Sequence, residues 1–256
     1  MITIISPAKS MDFNPEPEGS LSLLGKWRAH SGRNNTHELL AILKGLSAGQ
    51  IGKIMKVSEK IAKQNHQRFQ TYENLPEKPA IFAYVGDVYK KMEPGTFSLE
   101  DLEFAQDNLR IISAFYGLVR PMDKIKAYRL EMVNKLPGAP VKSLALMWQE
   151  DIAQMINEEI KTHPNKYVIN LASDEYSAAI DAASLDAKMV NIHFREIRDG
   201  VLRNIAINSK RARGRMAGYI IKGRIGSPEE LKSVSALHYA FDAGLSDESN
   251  FFFVNS

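Results

Sequence analysis

The chain has 256 residues, 44% of them hydrophobic and 25% charged, with a formal net charge of +3, which excludes disordered, collagen-like and fibrous proteins. Cysteine is absent, so zinc ribbons, iron–sulfur clusters, thiol nucleophiles and disulfide frameworks are excluded by inventory, as fits a cytoplasmic protein without proving it. No stretch approaches the roughly 18 apolar residues of a membrane helix, the N-terminus lacks the leader of a signal peptide, and the mild basic balance permits an anionic partner without demanding one.

Taken in order, Ile2 to Ile5 is short, β-branched and stopped by Ser6-Pro7, which predicts a buried opening strand with Lys9 just past its end. Residues 14 to 36 are rich in Pro and Gly and read as a loop with a possible short helix near Trp27. Helices are expected over Thr36–Leu46, Ala48–Met55 and Glu59–Tyr72, then a break at Pro76–Pro79 and a strand over Ala80–Tyr84. Ser98 suits the N-cap of a helix running to Asn108, because its hydroxyl can accept from free first-turn amides. Leu109 to Ala114 reads as a strand. The spacing of Leu144, Met147, Trp148, Ile152, Met155, Ile156 and Ile160 makes Leu144–Lys161 the clearest amphipathic helix. Lys166–Leu171 is an apolar strand. Met189–Arg198 and Val201–Ile207 read as strands flanking Asp199-Gly200, a natural type I′ turn. A helix over Ser209–Lys222, a short helix near Glu229 and a strand over Phe251–Val254 close the pattern.

Early alternation of strands and helices with a late hairpin predicts an α/β fold, a mixed sheet flanked by helices, and no linker divides the single domain of residues 1–256. Polar groups fall just beyond strand ends: Lys9, Asp87, Tyr116 with Arg120, and Ser173-Asp174-Glu175. If those strands are parallel neighbours, the groups meet at one sheet edge, where open α/β sheets bind ligands. Each also has an ordinary explanation. Ser173-Asp174-Glu175 is what a helix N-terminus favours, and Asp87 after a glycine suits a turn or cap.

The run Ser209-Lys210-Arg211-Ala212-Arg213-Gly214-Arg215 contains no acid. On a helix Arg211 and Arg215 lie one turn apart, so an anion should face them, phosphate being the natural match for guanidinium groups. Acids from elsewhere in the fold, or plain solvation, would serve equally. Gly214 would allow a close backbone approach. A third segment, within about 47–72, resembles a helix-hairpin-helix, which offers hairpin amides to a DNA phosphate. Lys56 and Ser58 stand where that motif has glycines, and Lys56 and Lys60 add charge there. An ordinary helical pair with exposed lysines is the alternative. The six histidines show no metal-binding spacing, and a carboxylate site using Asp87, Asp174 and Glu175 is not diagnostic.

Together, Ile5-Ser6-Pro7-Ala8-Lys9, Gly86-Asp87-Val88-Tyr89, Tyr116-Gly117-Leu118-Val119-Arg120-Pro121-Met122-Asp123, Tyr128-Arg129-Leu130-Glu131-Met132, Asn170-Leu171-Ala172-Ser173-Asp174-Glu175-Tyr176 and Lys210-Arg211-Ala212-Arg213-Gly214 resemble the bacterial YaaA family of peroxide-stress proteins, from the first strand to about residue 242. The resemblance implies a cytoplasmic protein that limits iron-driven damage during peroxide stress. It also implies an α/β fold with a basic cleft and a helix-hairpin-helix, and binding to the backbone of duplex DNA.

The expected DNA contacts are Lys56, Ser58, Lys60, Lys210, Arg211, Arg213 and Arg215, with double-stranded DNA as partner, no membrane and no cofactor. A rival expectation is an enzyme acting on a nucleotide, a base or damaged DNA. It would use Lys9 as nucleophile or cation, Asp87, Asp174 or Glu175 as general acid or base, and Arg120 and Arg129 as anion clamps. Direct iron binding by those carboxylates with His193 is a third reading. Without cysteine the protein cannot sense peroxide through a thiol.

Overall fold

The computed structural model describes residues 1–14, 34–139, 141–235 and 238–255; the possible helix near Trp27 lies outside them. In chain order the strands are β1 (Ile2–Ile5), β2 (Glu77–Pro79), β3 (Leu109–Ser113), β4 (Gly117–Val119), β5 (Lys124–Lys126), β6 (Tyr167–Asn170), β7 (Lys188–Arg198), β8 (Val201–Arg203), β9 (Ala240–Asp242) and β10 (Asn250–Asn255). The helices are α1 (Asn34–Gly45), α2 (Ala48–Met55), α3 (Glu59–Gln70), α4 (Ala80–Ala83), α5 (Asp87–Met92), α6 (Leu99–Asn108), α7 (Leu144–Ile160), α8 (Asp174–Ser177), α9 (Ala206–Lys222) and α10 (Pro228–Leu231).

Eight strands form a mixed sheet in the order β4-β3-β1-β6-β7-β10-β9, with β8 paired to β7, while β2 and β5 form a small second sheet. The five central strands are parallel; β4, β8 and β9 run antiparallel to their neighbours. Every residue of β1 and β3 is buried. Successive side chains point to opposite faces, so both faces are covered there, which is why these strands read as unbroken apolar runs. β7 alternates buried with partly exposed positions and has one covered face.

Placing β1 between β3 and β6 creates a topological switch point, because the chain leaves β1 on one side for β3 and returns on the other for β6. Crevices at such points open beyond the carboxyl ends of the strands. Ser6, just past β1, and Ser173, past β6, meet there, with the Ser173 amide donating to Ser6 Oγ at 2.9 Å.

Ser98 caps α6 by accepting from the Asp101 amide at 3.2 Å. The two turn residues Asp199 and Gly200 both have positive φ, 52° and 73°, as a type I′ turn requires. Two expected strands differ. Ala80–Tyr84 is not a strand: Ala80–Ala83 forms the single helical turn α4, Ala80, Ile81 and Ala83 all lying in the core. The strand expected over Val201–Ile207 ends at Arg203, and α9 starts at Ala206, three residues before Ser209.

Candidate functional site

Three segments reach the switch-point crevice. The β1 exit carries Lys9, whose ammonium is paired with Glu131. Glu131 also accepts from Arg129 Nη2 at 3.2 Å. Both residues lie in the stretch after β5, whose Tyr128 is buried and exchanges hydrogen bonds of 2.7 Å with Tyr84 and Ser113. Tyr89 closes the floor by donating to the Ser6 carbonyl at 3.1 Å. Burial holds these phenols neutral: it raises Tyr128 to about 12 and carries Tyr84 and Tyr89 well above their usual value.

The exit of β6 leads into α8, whose Asp174 is exposed and faces Arg213 electrostatically. Glu175 Oε1 accepts from the Val133 amide at 3.4 Å. Arg213 is largely desolvated, and that burial pulls its guanidinium below the ordinary arginine range. Asp174 opposes the shift, while the like charge of Arg195 adds to it. The Nε atoms of Arg129 and Arg213 are buried and lack a hydrogen-bond partner among the described residues.

The third segment is α5, which packs against α9. At Gly214 a Cβ would stand 2.0 Å from the Val88 carbonyl oxygen, and at Gly218 it would stand 2.8 Å from that of Met92. Gly214 therefore does admit a close backbone approach, but the backbone is that of α5. This contact splits the basic run. Arg211 and Arg215 lie along α5, 3.6 Å from Asp87 and 3.4 Å from Glu93, and Lys210 is exposed. Arg213 points inward to the crevice. The acids missing from the run thus come from the first residue of α5 and from Glu93 just past its end, as half-exposed pairs worth roughly 0–1 kcal/mol each.

Arg120 is not in the crevice. Antiparallel β4 carries it to the opposite edge of the sheet, where its guanidinium donates to Glu159 at 2.9 Å beside buried Arg110. The structure therefore brings together Lys9, Arg129, Asp174 and Glu175, sets Asp87 at the crevice rim, and removes Arg120. Glu131 and Arg195 join them. Glu131 stands in the sequence analysis only as a member of the motif Tyr128-Arg129-Leu130-Glu131-Met132, with no role of its own. Arg195 falls inside the strand expected over Met189–Arg198, but its place beyond the end of β6 depends on the β6–β7 register, Asn170 opposite Asn191. Among the described residues no three acidic or histidine groups gather as a metal site: Asp87 lies beside Arg211, and His193 Nε2 sits 3.1 Å from Asn250.

The α2–α3 turn borders the same edge. Ser47 caps α2, and Lys56 ends it in the left-handed region, φ 50° and ψ 50°. Lys56, Ser58 and Lys60 are all exposed. Asn134 donates to the Ile54 carbonyl at 3.2 Å and accepts from the Glu131 amide at 2.8 Å, tying the end of α2 to the cluster. Across the crevice, a Cβ on Gly86 would meet Ala8, so the Lys9 segment lies against the start of α5. A continuous path of contacts thus runs from the α2–α3 turn through Glu131, Lys9 and Asp87 to Arg211.

Residues 1–245 match the model of the family described as peroxide stress protein YaaA. Curated relatives span the whole chain: a UPF0246 protein of Rickettsia bellii is 40% identical over 254 residues, 99% of this chain and 100% of its own. One from Rickettsia felis is 41% identical over 254 residues, 99% of each chain. Another from Rickettsia rickettsii is 40% identical over 259 residues, all of both chains.

Proposed function

The chain belongs to the YaaA family of peroxide stress proteins, and from that premise we propose that it binds duplex DNA through backbone phosphates and limits iron-driven damage to that polymer. The observation that carries this reading is the path of contacts joining the α2–α3 turn to α9, which sets Lys56 and Lys60 at one end of a single edge and Lys210, Arg211 and Arg215 at the other. Ser58 adds a hydroxyl at the turn. The helix-hairpin-helix likeness of the turn supports the same reading, since such a turn can present amides to one phosphate. The ion pairs of Arg211 and Arg215 with Asp87 and Glu93 are long and half exposed, so phosphate can replace the acids at little cost. With no cysteine, protection rests on occupancy of the DNA and not on a thiol switch.

Fluorescence anisotropy with a labelled duplex across a salt series tests this. Five cationic contacts give a slope of log K against log salt of about −4.5, and Lys210→Ala, Arg211→Ala, Arg215→Ala together flatten it by about 2.7 for every sequence tried. An isotherm indifferent to salt overturns the reading. The switch-point position of Lys9, Asp174 and Glu175 favours a second reading, an enzyme acting on a nucleotide, a base or damaged DNA, which requires turnover that Lys9→Ala abolishes.

A further inference from the structure

We propose that Tyr89, Tyr84, Tyr128, Tyr116 and Tyr72 form a relay that conducts one-electron oxidising equivalents from the crevice to the protein surface, where a small thiol quenches them.

The phenols make one unbroken line. At its inner end Tyr89 is buried and donates to the Ser6 carbonyl at 3.1 Å, where β1 opens into the crevice. From there the ring centres lie 5.4 Å apart from Tyr89 to Tyr84, 6.5 Å from Tyr84 to Tyr128 and 5.3 Å from Tyr128 to Tyr116. The Tyr116 hydroxyl is hydrogen-bonded to that of Tyr72, and the Phe115 ring packs against both, 4.9 Å from Tyr116 and 5.5 Å from Tyr72. Tyr72 is partly exposed in the turn after α3. Most side-chain hydrogen bonds in proteins go to backbone or water. Here phenols bond to phenols, Tyr84 with Tyr128 at 2.7 Å and Tyr116 with Tyr72. A core that needed only aromatic bulk would be met by phenylalanine, which brings the ring and no hydroxyl to satisfy.

A phenol, unlike a phenylalanine ring, yields an electron to the radicals that iron and peroxide generate, provided that its proton can move as well. Burial keeps these phenols protonated, and a hydroxyl that both donates and accepts gives the proton somewhere to go. Glu73 and Glu77 act on Tyr72, and negative charge favours loss of an electron there over the inner rings. Lys126, 5.4 Å above the Tyr72 ring, is itself 3.8 Å from Glu77.

The oxidant is an oxygen- or carbon-centred radical at the crevice. It gains one electron from Tyr89 and one proton from water and becomes a closed-shell molecule. Each oxidised phenol holds its proton on its hydrogen-bond acceptor and recovers it as the next ring outward refills it with an electron. Tyr72, last in line, loses its proton to solvent and is left as a phenoxyl radical. A thiol then gives it a hydrogen atom: the S–H bond breaks, the O–H bond forms, and two thiyl radicals combine to a disulfide. With no cysteine, the chain holds no thiol of its own that could intercept the radical. The relay does not depend on the duplex reading, and its test contains no DNA.

Because the chain lacks cysteine, Asp87→Cys gives a single attachment point at the crevice rim, on the helix that carries Tyr89, for a ruthenium–polypyridyl photo-oxidant. The full labelled chain is flashed with an electron-accepting quencher and a nitroso spin trap, and the adducts are mapped by peptide mass spectrometry. The expected result is an adduct at Tyr72 that falls by about an order of magnitude in Tyr116→Phe and in Tyr128→Phe, with circular dichroism controlling for folding. Tyr72→Phe changes only the partly exposed end and keeps the relay testable if a core variant unfolds. Its tyrosyl signal in electron paramagnetic resonance should outlast that of the parent and should no longer shorten when mercaptoethanol is added. No adduct at Tyr72, an adduct undiminished in both core variants, more adduct at exposed Tyr219 than at Tyr72, or an unchanged thiol response in Tyr72→Phe each overturns the proposal.

Discussion

The two edges of the central sheet carry arginine clusters of similar composition and opposite condition. At the amino-terminal edge Arg110 is almost wholly buried, and each of its three guanidinium nitrogens has an acceptor: Nε donates to Glu159 at 2.6 Å, Nη1 to the Gln106 and Leu109 carbonyls at 2.8 and 2.6 Å, and Nη2 to the Asp107 carbonyl at 3.3 Å. Glu159 spends its second oxygen on Arg120. At the carboxyl-terminal edge Arg129 and Arg213 keep buried donors without acceptors among the described residues. The first network holds the fold together; the second leaves valences for something else. The same residue type thus serves structure or recognition according to whether its partners are supplied by the chain.

The largest effect expected is on the satisfied edge. Glu159→Gln leaves Arg110 buried without its counter-charge, and losing one partner of a buried pair costs about 3–5 kcal/mol, measurable as a shift of the urea midpoint. Arg213→Gln, which removes a desolvated cation short of partners, should change stability by less than about 1 kcal/mol. Equal losses in the two variants would erase the distinction between the edges.

Gly214→Ala comes next. A methyl group 2.0 Å from the Val88 carbonyl oxygen forces α5 away from α9, and overpacking of this kind costs about 1–3 kcal/mol. Ala212→Gly, on the same helix and also buried, would lower stability by about 1 kcal/mol through helix propensity while leaving α5 in place.

Glu196 shows that satisfaction, and not the choice of edge, makes the difference. It lies at the carboxyl-terminal side yet accepts from Tyr239 at 2.7 Å, Asn208 at 2.6 Å and Arg198 at 2.6 Å. These donors, the Tyr239 hydroxyl foremost, hold its carboxyl below the usual glutamate value. The native state therefore binds this proton less readily than the unfolded chain does, so the stabilisation is present above the unfolded pKa of about 4.3 and is lost as pH falls through the native value. Tyr239→Phe should cost about 1–2 kcal/mol at pH 7, with the difference from wild type shrinking on acidification. The phenols beneath the crevice behave in the opposite sense. Their raised values keep them protonated in the native state, so stability should fall from about pH 10 upward, with Tyr128 giving no tyrosinate absorbance until about pH 12.

How far these features are legible in sequence depends on how local their causes are. The Asp199-Gly200 turn, the Ser98 cap and the buried strands were readable because turn chemistry, capping and periodicity act within a few residues. Ala80–Ala83 was not, because a short apolar run between Pro79 and Gly86 is equally a buried strand or a buried helical turn, and packing decides. Arg120 was misplaced for a similar reason: nothing within three residues of β4 encodes its direction, and reversing a strand moves its exit to the other edge. Gly214 was read for the right property with the wrong neighbour. The inward turn of Arg213 follows from α5 occupying the adjacent face, a long-range fact invisible in the run itself.

The smallest effect separates binding from stability at the α2–α3 turn. Lys56 holds φ 50°, a region that costs a residue with a Cβ about 1 kcal/mol and glycine almost nothing. Lys56→Gly should therefore raise stability by up to about 1 kcal/mol in urea denaturation. If that turn meets a phosphate, the same substitution removes one charge and flattens the salt slope of duplex binding by about 0.9. A variant more stable and weaker in binding shows that a strained cation has been kept at the turn for its charge. A variant more stable with an unchanged slope returns Lys56 to the ordinary exposed lysines and leaves α9 as the sole phosphate surface.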